Sequence, residues 1–112
     1  MFGPLTRNVT PCSFWPPAPA EPATAVHNGV PVLMVGATGD PAAVHPGQRA
    51  AHRALAGSRL VTLSGAFRHT VYAGLFAPQN KCIDDTVNRY LIDGDLPGTD
   101  TARPVMPSPT ES

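Results

Sequence analysis

Charge is what this sequence has least of. Only 14% of its residues are Asp, Glu, Lys or Arg, and eight basic residues balance eight acidic ones. No stretch gathers the basic residues into a stripe, so neither nucleic acid nor a membrane surface is an expected partner. Long apolar runs are missing too, and none approaches the roughly 20 residues of a membrane-spanning helix. The opening MFGPLTRNVTPCSFW lacks the charged-then-apolar layout of a secretory signal, so the chain as written is expected in the cytoplasm. Two cysteines, Cys12 and Cys82, are too few for a disulfide scaffold. They are compatible with one bridge, or with two thiols buried as small apolar residues. No cofactor or metal is implied.

Proline, by contrast, is plentiful. Fourteen prolines in 112 residues cluster towards the ends, in 11-PCSFWPPAPAEP-22 and 104-PVMPSPTES-112. Residues 1–25 read as a Pro-rich extended segment anchored by Trp15, and residues 98–112 as a disordered Pro/Ser/Thr tail. Residues 26–97 then form one small α/β domain, which is as much core as this length supports.

The domain is organised around 31-PVLMVGATGDP-41. Asn28-Gly29 signals a turn, and the apolar run Val30 to Val35 predicts a buried strand. The glycines that end the run deliver Asp40 at the strand's carboxyl end. Pro46 fits the first turn of a helix with an apolar stripe through Ala51, Ala54 and Leu55, stopped by Gly57. Ser58 to Leu63 predicts a second strand. A helix between two strands implies a right-handed crossover and a parallel pair. The loop after the second strand carries His69 at the same sheet edge as Asp40. Asn80 caps a last helix whose apolar face runs through Ile83, Val87, Tyr90 and Leu91, with Asp84 and Asp85 in its early turns. Two strands leave an open edge, so further strands are expected beside Val30 to Val35 from a segment outside these residues.

An Asp after one strand and a His after the next supply two of the three parts of an acyl-transfer triad. The imidazole takes a proton from a serine, and the carboxylate fixes its tautomer and stabilises its charged form. Each residue also has a plainer role available, Asp40 as a turn cap before Pro41 and His69 as a loop residue. His27, His45 and His52 read as solvent-facing.

The stretches 32-VLMVGATGDP-41, 58-SRLVTLSGAFRHTVY-72 and 82-CIDDTVNRYLIDGDLP-97, with 12-CSFWP-16 before them, resemble the C-terminal region of the tripeptidyl-aminopeptidase-like α/β-hydrolases of actinobacteria. These are serine peptidases of the proline iminopeptidase clan. The resemblance runs from about Cys12 to Thr99 and implies a partial α/β-hydrolase fold, its last two parallel strands and two helices in the order β-α-β-α. It implies Asp40 as the triad acid and His69 as the general base, with a peptide substrate in the complete enzyme, and export if the chain derives from a secreted member. The family's nucleophile sits on an upstream Gly-x-Ser-x-Gly elbow. Ser13, Ser58, Ser64, Ser108 and Ser112 all lie outside such a motif. The implied partner is therefore an upstream hydrolase half that carries the serine, without which the chain is expected to be inactive. Two further departures are Arg68, where the family usually has glycine before the histidine, and the lack of a cysteine after Gly98-Thr99. The competing reading is a non-catalytic fragment, or a degenerate relic, that binds another polypeptide through its open sheet edge.

Overall fold

A computed structural model describes residues 16–74 and 79–105. Among them the chain forms β1 (Val32–Ala37), α1 (His45–Ala54), β2 (Ser58–Ser64), a 3₁₀ turn (Tyr72–Gly74), α2 (Lys81–Asp93) and β3 (Thr101–Pro104). The three strands are parallel in the order β1-β2-β3. The expected β-α-β-α order is present, with β1 two residues further along than the apolar run suggests.

Strand alternation sorts the sheet into two faces. On one face Ala37, Val61 and Leu63 join Ala66, Val71, Ile83 and Val87 in the buried core, with Leu33 and Val35 packed against it. This is the face that α2 covers. On the other, a Cβ added at Gly36 would fall on the Gln48 carboxamide of α1, and His52 of α1 bonds Ser58 of β2. The helices therefore lie on opposite faces, as a parallel sheet requires if neither face is to stay wet.

Both helices start and stop for identifiable reasons. The Asn80 side chain accepts from Ile83 N at 3.2 Å, and Gly94 ends α2 in the left-handed region at φ 75°. Asp84 accepts from Ala73 N, and Asp85 pairs with Lys81 one turn back at 2.7 Å. For α1 the expected glycine stop is corrected. Gly57 lies in the turn that follows the Leu55 cap, and what excludes a side chain there is the close approach of the Gly29–Val30 backbone.

Three further expectations are corrected. Residues 98–112 are not wholly a tail, because Thr101–Pro104 pairs with Val61–Ser64 of β2. The strand has no apolar run because its side chains lie mostly in solvent, and at the sheet edge Pro104 forfeits no needed bond. Leu91 does not face the sheet. Ile83 and Val87 are buried and Tyr90 donates its hydroxyl to Pro31 O, but Leu91 sits at the rim of that stripe and is exposed with Ile92. Cys82 is exposed and unbridged in the first turn of α2, while Cys12 and Trp15 lie outside the described residues.

Candidate active site

The sheet brings Asp40 and His69 together. Each follows a strand of the parallel pair β1–β2, so both emerge at the carboxyl edge, where open α/β sheets gather their functional groups. Backbone bonds staple the two turns. Thr38 N donates to Leu63 O at 3.1 Å and Gly39 N to Ala66 O at 2.9 Å, while Gly65 N donates to the Thr38 hydroxyl at 2.9 Å. Gly39 is required by crowding, since a Cβ there would lie 2.6 Å from Phe67 Cδ1 and 2.7 Å from Ala66 O. Gly65 is required by conformation, at φ 81°. Thr70, directly after His69, also lies in the left-handed region at φ 68°, a strained setting for a β-branched residue.

Asp40 is buried, with 8% of its surface exposed, yet every contact it makes favours charge. Its Oδ1 accepts from Ala42 N and Ala43 N, both at 2.8 Å, and His69 Nδ1 stands 3.1 Å from Oδ1 and 3.0 Å from Oδ2. Burial pushes the Asp40 pKa up, but the bonds from Ala43, Ala42 and His69 outweigh it and leave the carboxyl below its ordinary range. A carboxylate only accepts, so His69 Nδ1 carries a proton towards it. In the neutral ring Nε2 is then the lone-pair nitrogen. It bonds nothing among the described residues, and the ring is 58% exposed. A buried carboxylate, an oriented imidazole and a free basic nitrogen can take a proton from a nucleophile placed at Nε2.

A second His–carboxylate pair escaped the sequence reading. His52 Nε2 lies 2.8 Å from Asp100 Oδ2, and its Nδ1 lies 2.6 Å from Ser58 Oγ. Expected to face solvent, His52 is instead half-buried between two partners. His45 is also half-buried, with Nδ1 3.2 Å from Gln48 Oε1, whereas His27 is exposed as expected. Ser58, His52 and Asp100 have the residue types of a triad without its geometry. Ser58 is 1% exposed, and its hydroxyl lies 2.7 Å from the Leu55 carbonyl, so no substrate reaches it. The link from His52 to Asp100 spans 48 positions, and no local pattern signals it.

The match to known proteins follows this arrangement. The sequence model of the family described as TAP-like protein matches residues 2–103. The chain belongs to the TAP-like protein family. A tripeptidyl aminopeptidase of Streptomyces coelicolor is 39% identical over 101 residues, which cover 88% of this chain and 17% of the relative. Carboxylesterase B of Mycobacterium tuberculosis is 36% identical over 90 residues, covering 79% of this chain and 16% of its own length. A tripeptidyl aminopeptidase of Streptomyces lividans is 37% identical over 86 residues, 75% of this chain and 15% of the relative. The chain thus spans about one sixth of the length of these relatives. No solved structure matches it. The family is one of hydrolases, consistent with an α/β sheet that carries Asp40 and His69 at its carboxyl edge. No helix among the described residues is long and apolar enough to cross a membrane.

Proposed function

We propose that this chain is the acid-and-base part of a serine hydrolase, and that it cleaves peptides from a free N-terminus when a nucleophile is supplied from sequence outside these 112 residues. The observation that carries the reading is the Asp40–His69 pair, with Nδ1 3.0 Å from Oδ2 and Nε2 left unbonded among the described residues. In the proposed mechanism a serine hydroxyl sits at Nε2. His69 accepts its proton as the oxygen attacks the scissile carbonyl, then returns a proton to the leaving amine. Asp40 holds the tautomer and stabilises the imidazolium; it does not take the proton. The oxyanion donors come with the serine. The peptide substrate follows the two Streptomyces relatives, and an ester substrate would follow the mycobacterial one.

The sheet supplies a means of assembly. In the order β1-β2-β3 the outer edge of β1 has no partner among the described residues, and Val26, Val30, Val44 and Phe67 expose apolar surface. A parallel strand from the serine-bearing half fits beside β1. The same edge favours a second reading, a fragment that binds another polypeptide without catalysis.

The test is hydrolysis of an N-terminally free tripeptide chromogenic substrate by the purified chain. It is run alone and mixed with the serine-bearing upstream segment of the S. coelicolor relative, with His69→Ala as control. Turnover in the mixture alone, lost in the variant, supports the proposal. A stable complex without turnover would favour the binding reading.

A further inference from the structure

We propose that Gln48 of α1 is a positioning residue for the Asp40–His69 pair, acting through the loop of residues 41–44. The proposal rests on the reading of that pair as acid and base. The loop leaves the buried Asp40 and runs exposed into α1, and Val44, at the N-cap of that helix, makes no side-chain capping bond. Among the described residues its path is fixed by polar bonds from two sides. Ala42 N and Ala43 N donate to Asp40 Oδ1, both at 2.8 Å, and Gln48 Nε2 donates to Ala43 O at 2.6 Å. Ala43 is thus held at both ends, its N–H by the carboxylate and its carbonyl by the carboxamide.

The sheet sets the place of the carboxamide. A Cβ at Gly36 of β1 would fall on it, so Gln48 lies against β1 only because residue 36 has no side chain. The Ala43 carbonyl only accepts, so the amide nitrogen is the end that must face it, and Oε1 lies 3.2 Å from His45 Nδ1. Gly36, Gln48, Ala43, Asp40 and His69 therefore form one chain of contacts from β1 to the imidazole. The consequence is electrostatic as well as geometric. Burial raises the Asp40 pKa, and the bond from Ala43 N is the strongest of the contacts that lower it. Without Gln48, the exposed loop between Asp40 and α1 is tied down only by the carboxylate it serves, and Ala43 N can turn to water. Oδ1 then loses a donor, and the carboxylate loses its aim on His69 Nδ1, which lies 3.1 Å from Oδ1 and 3.0 Å from Oδ2. Among the described residues His69 is the titratable side chain bonded to Asp40, and His45 meets Gln48 instead.

The test combines Gln48→Ala, Gly36→Ala and the double variant in the full chain. Gln48→Ala removes the donor. Gly36→Ala keeps it but pushes it off Ala43 O, since the atoms nearest the added methyl belong to the flexible Gln48 side chain. The carboxyl ¹³C titration of Asp40 should move to higher pH in each single variant and no further in the double, because both act through one contact. In the mixture with the serine-bearing segment, kcat should fall by roughly tenfold to a hundredfold, with KM within about twofold of wild type. An Asp40 titration unchanged in Gln48→Ala would overturn the proposal, as would a second full shift when Gly36→Ala is added to Gln48→Ala. A wild-type mixture that gives no turnover would count against the hydrolase reading alone, since the titration decides the role of Gln48 without a serine.

Discussion

The two histidine–carboxylate pairs use the same chemical groups to opposite ends. His52 has both ring nitrogens engaged, one by Ser58 and one by Asp100, with the carboxylate half in solvent. His69 has one nitrogen engaged, by a carboxylate that is itself buried and bonded twice to backbone, and its other nitrogen is open. Residue types do not separate the two sites. What separates them is how many lone pairs and protons the fold has already used, and a general base needs one nitrogen that the fold has left unused.

The largest expected contrast is catalytic. In the mixed assembly, Asp40→Asn should leave the fold intact and cut turnover by about 10⁴-fold, because the ring loses the partner that fixes its tautomer. Asp100→Asn should leave turnover within a few-fold of wild type, measured with the same tripeptide substrate. Equal losses would erase the distinction between the pairs.

A second contrast is in stability. Ile83 is fully buried in the core shared with Val61 and Leu63, and Ile83→Ala should cost about 2–5 kcal/mol in denaturant unfolding. Ser58→Ala should cost about 1–2 kcal/mol, since it leaves His52 Nδ1 without its hydroxyl partner, while the Leu55 carbonyl keeps the backbone N–H of residue 58.

The smallest contrast is in acid. The Asp40 carboxyl is held below its ordinary range in the folded chain, so its contribution is fully present above the unfolded pKa and is lost as pH falls through the folded one. Melting temperature should therefore decline below about pH 4, and less steeply in Asp40→Asn, whose amide oxygen still caps Ala42 and Ala43 without titrating. Melting curves from pH 5 to pH 2 check the sign. A steeper decline in the variant would contradict it.

The legible parts of this chain were the local ones. Val32–Ala37 and Ser58–Ser64 carry their own apolar runs, Asn80 sits where a cap is needed, and Asp40 and His69 follow strands whose crossover helix forces them parallel. Placing both at one edge needed only that topology. The unread parts depend on partners remote in sequence. β3 has no apolar pattern because its side chains are mostly exposed and its backbone supplies the pairing. His52 looked like one more polar position on a short helix until Asp100 arrived 48 residues later. Leu91 followed the right period at the wrong rim, where a helix wheel without its sheet does not reveal the boundary.

That His69 and not His52 has a nitrogen free to act as a base is tested by phosphonylation of the elbow serine in the mixed assembly. The rate with a fluorophosphonate probe is compared for the wild-type chain, His69→Ala and His52→Gln. Labelling should collapse with His69→Ala and continue near the wild-type rate with His52→Gln. Undiminished labelling with His69→Ala, or an equal collapse with His52→Gln from a chain shown to be folded and bound, would contradict it.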